Sequence, residues 1–220
     1  MASMRFAAWL VLLATLVLWS GNWIVARAVR EDIGPGTATV GRLLVVLAIL
    51  LPFTLASLRR KLPSLGRRDW RILAGLGFTG GGLHLALQWL GLHYTTATSG
   101  TLYLSTTPIF ILLMAPLFGE RIRARQWAGV AISFCGVVAI ASQGELARLA
   151  SLSFNRGDVM ALASMLMWAS YTVLLRPRRD SLSTVELIVM VCAFGLAFML
   201  PWLAVELAIG GPILLTPRGA

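Results

Sequence analysis

Residues 100–140 read GTLYLSTTPIFILLMAPLFGERIRARQWAGVAISFCGVVAI, in which a short basic segment separates two uncharged apolar ones. Residues 101–118 and 126–143 carry no charge. Each stretch is about 18 residues long, enough at about 1.5 Å per residue to cross most of a hydrocarbon core about 30 Å thick. The segment between them holds three arginines. Because Lys and Arg are retained on the cytoplasmic side, the stretch predicts two membrane helices joined by a cytoplasmic turn.

The composition of the whole chain is that of a membrane protein. Of its 220 residues, 58% are apolar and 13% are charged, and the mean hydropathy is +0.81. These values exclude an ordinary soluble domain and predict an all-α fold, a polytopic membrane helix bundle. The predicted spans are 6–26, 36–58, 70–91, 97–118, 126–143, 158–175 and 184–206.

The basic residues predict the orientation of these spans. The N-terminal tail and the second, fourth and sixth connections hold thirteen Lys and Arg, whereas the opposite side holds five. The positive-inside rule then places the N-terminus in the cytoplasm and predicts a multi-pass protein of the inner (plasma) membrane, in contact with the lipid bilayer. The net charge of +10 is explained by this topology, so no nucleic-acid partner is predicted.

An internal repeat relates the first and sixth spans. A shift of 149 residues places Trp19 on Trp168 and Arg27 on Arg176. Five spans separate the two copies, so the second copy crosses the membrane in the opposite sense. Inverted repeats are common in secondary transporters, where the substrate site lies near the membrane midplane between the repeats.

Several motifs resemble the EamA-type branch of the drug/metabolite transporter superfamily. They are LWSGNW at 18–23, GRL at 41–43, FGER at 118–121 after Pro108, QWAG at 126–129, GVV at 136–138, and GD at 157–158 leading to Trp168. The pairing of GER with QWAG is the most specific of them. The resemblance implies ten helices in two inverted five-helix repeats, and the export or exchange of small metabolites.

On this resemblance, residues 1–143 are the first five-helix repeat, 144–157 an outer connecting loop and 158–220 a partial second repeat of two helices. With seven predicted spans, the second repeat is expected to be incomplete by three helices. The faces that carry His84 and Gln88 are then expected to meet lipid. The chain is then expected to form a homo-oligomer, or to bind a partner that supplies the missing helices.

The sequence predicts no catalytic residues, no metal and no cofactor. All nine acidic residues lie in loops or near span ends, so neither a mid-membrane proton relay nor an acid/base pair is predicted. His84 and His93 alone do not make a metal triad. The protein is therefore not expected to be an enzyme.

Arg42 is the one charged residue predicted inside a span. It lies about six residues, or about 9 Å, from the outer end, so its side chain could snorkel toward the interface. Alternatively, it faces a water-filled cavity and binds an anionic group such as a substrate carboxylate. The sequence leaves both interpretations open.

Polar side chains of spans three and four are further candidates for a substrate pathway. His84 and Gln88 are four residues apart and share a helix face, where they form either a helix–helix hydrogen bond or a substrate contact. Tyr103 and Thr107 precede Pro108, which is expected to kink the fourth span while neighbouring hydroxyls satisfy the freed carbonyl.

Aromatic and amide side chains of the two repeats complete the predicted pathway. Trp19 and Asn22 in the first repeat, and Trp168 and Tyr171 in the second, are expected to face each other across the pseudo-symmetry. The alternative for these residues is ordinary aromatic packing in the core.

The sequence thus predicts an integral membrane transporter of small organic metabolites. The resemblance implies that it exports or exchanges amino-acid-like or drug-like solutes by alternating access. The alternative is a truncated non-transporting membrane protein, or a half-carrier that needs a partner.

Overall fold

The protein is described by a computed structural model that covers residues 2–29, 32–94, 103–142 and 155–209. Within these ranges every regular element is helical, which confirms the predicted all-α fold. Four helices are long and apolar enough to cross a membrane by length and composition: Ala8–Ala26, Pro35–Ser64, Arg156–Leu174 and Thr184–Ala208. The fold is a polytopic membrane helix bundle.

Eight α-helices follow one another along the described residues. They are α1 (Ala2–Val29), α2 (Pro35–Lys61), α3 (Arg67–Leu76), α4 (His84–Tyr94), α5 (Thr107–Met114), α6 (Ala124–Ser142), α7 (Arg156–Leu174) and α8 (Thr184–Ala208). Local sequence sets several of the helix starts. A proline opens α2, where its missing N–H costs nothing, and capping boxes open α7 and α8.

The third predicted span is one continuous helical run, because a π-helical segment, Gly77–Leu83, joins α3 to α4. Its glycines allow a close approach to α8. A Cβ atom at Gly77 would lie 2.2 Å from the Cβ of Phe194, and one at Gly81 would lie 2.5 Å from the carbonyl oxygen of Val191. These small residues let two helix backbones pack closely, and α8 is the partner.

The core lies between α2, the third span, α7 and α8. Helix α8 packs antiparallel along α2, and α4 packs along α7. At Gly91 on α4, a Cβ atom would lie 3.1 Å from the backbone nitrogen of Ala161 on α7. The largest apolar cluster joins the C-terminal end of α2 to α3 and α8, through Leu58, Leu73, Leu76, Leu182, Leu187, Val189, Met190 and Val191.

Helices α1 and α6 lie at the edge of this core. Val17 and Leu18 on α1 are 70% and 75% exposed, and Ile132 on α6 is 73% exposed. Helix α1 reaches the core near its C-terminal end, where Ala26 packs with Trp89 and Leu92. These two helices therefore present apolar surface outward.

The fourth span differs from its prediction. Its α-helix covers only Thr107–Met114, with a 3-10 turn at Ala115–Phe118, and residues 97–102 lie outside the described part. Pro108 lies in the first turn of this helix, and the helical conformation is interrupted by a turn at residues 105–106 just before it. The carbonyl of Tyr103 accepts hydrogen bonds from both the backbone N–H of Thr106 at 2.9 Å and its hydroxyl at 2.6 Å.

The basic segment between α5 and α6 is a tight turn. Gly119 adopts a left-handed conformation with φ of 81° after the 3-10 turn. The side-chain oxygen of Gln126 accepts a hydrogen bond of 2.8 Å from the backbone N–H of Arg123 at the start of α6. The GER and QWAG motifs thus end one helix and begin the next.

Candidate functional site

His84 joins α4 to α7 through Ser164. The hydroxyl of Ser164 donates to the carbonyl of His84 at 2.9 Å, and Nδ1 of His84 lies 3.0 Å from the carbonyl oxygen of Ser164. Nδ1 is therefore best satisfied as the N–H donor, which leaves Nε2 as an acceptor. The predicted helix–helix hydrogen bond at His84 is confirmed.

The expectation that His84 and Gln88 meet lipid is wrong. Their side chains are 8% and 5% exposed. Helix α7 covers this face of α4, because Gly91 and the small residues of α7 bring the two helices close together. Both polar groups are therefore held within the bundle.

An aromatic cluster lies beside His84. The rings of His84 and Trp168 are 4.9 Å apart between centroids, and Tyr171 stacks on Trp168 at 5.1 Å. The ring of Trp19 lies 6.4 Å from that of Trp168, between centroids. Because Trp19 is 51% exposed, this cluster is open on the side of α1. Two aromatic residues predicted to face each other across the repeats are thus neighbours.

Arg42 lies on α2 and is half-buried. Its Nη1 atom is buried and has no hydrogen-bond partner among the described residues. Its neighbour Leu43 packs with Ala86 on α4, two residues from His84, so Arg42 and His84 lie in one region of the bundle. A buried guanidinium nitrogen without a partner costs free energy that an anionic ligand would recover.

Thr107 and Tyr103 contact α7 at different depths. The hydroxyl of Thr107 donates to the sulfur of Met165 at 3.4 Å, next to Ser164 in sequence. Tyr103 instead hydrogen-bonds to the carboxylate of Asp158, in the first turn of α7. Because ten residues of helix span about 15 Å, Tyr103 lies well away from the Trp168 level. The structure therefore separates Tyr103 from the rest of the predicted set.

Not every predicted pathway residue is brought to one place. His84, Trp168, Tyr171 and Trp19 form one contact network, and Thr107 reaches the same part of α7. The side chain of Asn22 lies outside the described residues. In the described part of the chain, no three His, Cys, Asp or Glu side chains are grouped in a way that could hold a metal ion.

Sequence reasoning missed the burial of three carboxylates near helix ends. Asp158, Glu186 and Glu206 are 1%, 3% and 7% exposed. Capping boxes give a local signal for two of them, because Asp158 follows Asn155 and Glu186 follows Ser183 by three residues. Nothing local signals the partner of Glu206, which lies about 170 residues away on α2.

The chain is similar in sequence to known transporters. Residues 5–142 match the model of the EamA-like transporter family. An uncharacterized transporter of Archaeoglobus fulgidus is 30% identical over 95% of this chain and 71% of its own length. No solved structure matches the chain significantly.

Other relatives carry more specific names. A probable terminal-alkyne amino-acid exporter of Streptantibioticus cattleyicolor is 27% identical over 90% of this chain and 64% of its own length. The uncharacterized inner membrane transporter YedA of Escherichia coli is 30% identical over 72% of this chain and 49% of its own length. The chain thus spans between about half and about 70% of the length of these three relatives.

Proposed function

Because the chain belongs to the EamA-like transporter family, we propose that it moves small organic metabolites across the membrane by alternating access. The observation that carries this proposal is Arg42. Its buried Nη1 atom has no partner among the described residues, and it lies in the same region of the bundle as His84. A site of this kind is suited to an anionic group on a passing solute.

The surrounding side chains favour amino-acid-like solutes. A carboxylate would bind Arg42, and a neighbouring ammonium group would donate to Nε2 of His84. The face of Trp168 offers the same cation a second contact, since an indole ring attracts cations within about 6 Å. Drug-like solutes with an anionic and an aromatic part would use the same groups.

The direction of transport and the location of the protein are part of the proposal. The name of the Streptantibioticus relative suggests export, and that of the Escherichia coli relative suggests the inner membrane. The thirteen-to-five division of basic residues favours a cytoplasmic N-terminus. The division into repeats at 1–143 and 158–220 is proposed on the resemblance.

The test is a metabolite export screen. Cells expressing the chain are compared with cells expressing no transporter, and free amino acids in the medium are measured by mass spectrometry. We expect one or a few amino-acid-like compounds to accumulate outside. If the chain is present in the membrane and the medium is unchanged across the panel, the proposed substrate class is wrong.

A second candidate is a carrier that works only in an assembly. The outward apolar surfaces of α1 and α6 favour it, since they are available to further helices from a second copy or a partner. Measuring the mass of the chain in mild detergent distinguishes the two candidates. A monomer that transports after reconstitution excludes the assembly.

A further inference from the structure

The offset of 149 residues that relates Trp19 to Trp168 continues through two whole helices. It places Pro35, at the start of α2, on Thr184, at the start of α8. It also places Pro52 on Pro201, and these are the prolines inside α2 and α8. These two helices pack against each other antiparallel, so they are equivalent members of the proposed repeat that meet along one seam.

At one end of this seam, α8 holds the N-terminus of α2. The carboxylate of Glu206 accepts hydrogen bonds from the backbone N–H groups of Gly36 at 2.7 Å and Thr37 at 3.0 Å. The hydroxyl of Thr37 donates to the same carboxylate at 2.8 Å. A carboxylate is favoured there because the first N–H groups of a helix are unpaired and the helix dipole is positive at that end. We call this the Thr37–Glu206 contact.

At the other end, the C-terminal part of α2 holds the first turn of α8. The carboxylate of Glu186 accepts a hydrogen bond of 2.7 Å from Nζ of Lys61. It also accepts one from the hydroxyl of Ser57. Its position is fixed by its own capping box, in which it accepts from the backbone N–H of Ser183 at 2.6 Å. We call this the Ser57–Glu186 contact.

The two contacts are equivalent under the same offset. A shift of 149 residues places Thr37 on Glu186 and Ser57 on Glu206. In both contacts α2 supplies the hydroxyl and α8 supplies the carboxylate. The carboxylate comes from the C-terminal part of α8 at one end and from its first turn at the other, so each position that carries a hydroxyl on α2 carries a carboxylate on α8. A contact that only capped one helix end would not require a matching contact at the equivalent positions of the other end.

In each contact, one residue comes from the C-terminal part of its helix, and a proline precedes that residue on the same helix. Pro201 lies five residues before Glu206, and Pro52 lies five residues before Ser57. A proline inside a helix removes one backbone hydrogen bond and allows a bend there. A bend at Pro201 would move Glu206 away from α2, and a bend at Pro52 would move Ser57 away from α8.

We propose that Glu206 and Glu186 are gating residues, whose contacts close the two opposite ends of the α2–α8 seam. Opening one end while the other stays closed gives access from one side of the membrane at a time. This role rests on the proposed transport function, because alternating access has meaning only for a carrier. In the predicted orientation, the Thr37–Glu206 contact closes the outer end and the Ser57–Glu186 contact the inner end.

The chain offers a matched pair of reporters for this proposal. Val40 on α2 and Val189 on α8 are equivalent under the offset, and they are 5% and 2% exposed. Each lies one turn beyond one contact. Single cysteines at these two positions, in a Cys135→Ser, Cys192→Ala background of the full chain, would report entry of water at each end. The probe is a membrane-impermeant maleimide, applied to intact cells and to inside-out vesicles.

The expected result is one-sided. Glu206→Gln should raise labelling of the Val40→Cys reporter in intact cells about tenfold and leave the Val189→Cys reporter unchanged, since it weakens only the outer contact. Glu186→Gln should do the reverse in inside-out vesicles. A residue that only supports folding would move both reporters together.

Smaller substitutions keep the test decisive if a Gln variant does not accumulate. Thr37→Val and Ser57→Ala each remove one donor and leave the carboxylate in place, so they should give a weaker effect at the same end, and Thr37→Ser should restore the unmodified rate. Equal labelling of both reporters, or no change in any of these variants, overturns the proposal. Labelling needs no substrate, so a one-sided result without any solute transport would count against the proposed function and not against the gates.

Discussion

Glycines in two parts of the bundle have opposite surroundings. A Cβ atom added to Gly77 or Gly81 would lie within about 2.5 Å of α8, whereas Gly129 and Gly136 on α6 have nothing within 4 Å. The first pair lies where the third span meets the middle of α8, at Val191 and Phe194. The second pair lies on an outward helix. Close helix packing is therefore found between the third span and α8 and not on the outward face of α6.

The largest effect is expected from adding a methyl group where Gly77 packs against α8. Gly77→Ala places a methyl group 2.2 Å from the Cβ of Phe194, so α8 must move or the helices must separate. Overpacking of this kind costs about 1–3 kcal/mol or more. We expect a large loss of folded protein in detergent, measured by fluorescence-detected size exclusion after heating.

Gly136→Ala on α6 is the matched control, and it should leave the melting temperature nearly unchanged. Equal stability of the two variants would contradict the distinction between the packed core and the outward helices.

The next effect concerns function and leaves folding intact. Arg42→Gln removes a charge from within the bilayer, so the variant should insert and accumulate near normally. Transport of an anionic or zwitterionic solute should fall about tenfold or more, the loss of a charge-assisted hydrogen bond. Initial rates of counterflow measure it. If Arg42→Gln instead abolishes accumulation and Arg42→Lys restores it, Arg42 has a structural role.

A moderate effect is expected at the contact between α4 and α7. Ser164→Ala removes the hydroxyl that lies 2.9 Å from both Nδ1 and the carbonyl of His84. Interhelical hydrogen bonds within membranes contribute about 0.6 kcal/mol on average and up to about 1.7. The melting temperature should fall by a few degrees, whereas Ser133→Ala on the exposed face of α6 should have no effect. An equal shift in both variants would show that the His84 contact does not stabilise the bundle.

The smallest effect concerns the loop between α7 and α8. The guanidinium of Arg178 donates to the carboxylate of Asp180 at 2.6 and 2.9 Å, and this lowers the pKa of Asp180 below its usual range. The stability that this contact adds is present above the usual pKa of an aspartate. It is lost as the pH falls through the lowered pKa.

Asp180→Asn should therefore lower stability at neutral pH by about 0.5–1 kcal/mol and reduce the further loss in acid. Melting curves between neutral and acidic pH measure both effects. Glu120→Gln, which breaks an exposed ion pair with Arg176, is the control and should change neither. A parallel pH profile for Asp180→Asn and the unmodified chain would refute this role.

More of the helical fold than of the candidate site could be predicted from the sequence. Hydropathy and charge predicted the spans, because both signals are local in the sequence. The helix start at Thr107 was not predicted, although the turn before it is closed by a local hydrogen bond from Thr106 to Tyr103.

The site itself depends on partners far apart in sequence. Ser164 bonds His84 across 80 residues, and several other small polar residues on α7 would have served equally well in a sequence argument. The burial of Glu206 follows from the approach of α8 to the start of α2, which no local pattern encodes. An internal offset was visible at Trp19 and Trp168, but its extension to these contacts needed the packed helices.

The most direct test of the central claim is solute flux through the purified full chain in proteoliposomes. Liposomes loaded with a mixture of unlabelled amino acids are given a trace of each labelled one outside, and counterflow is followed with time. We expect at least one zwitterionic amino acid to accumulate above protein-free liposomes, and the signal to fall with Arg42→Gln. Flux equal to that of protein-free liposomes, from protein shown to be folded and inserted, would contradict the assignment as a carrier of such solutes.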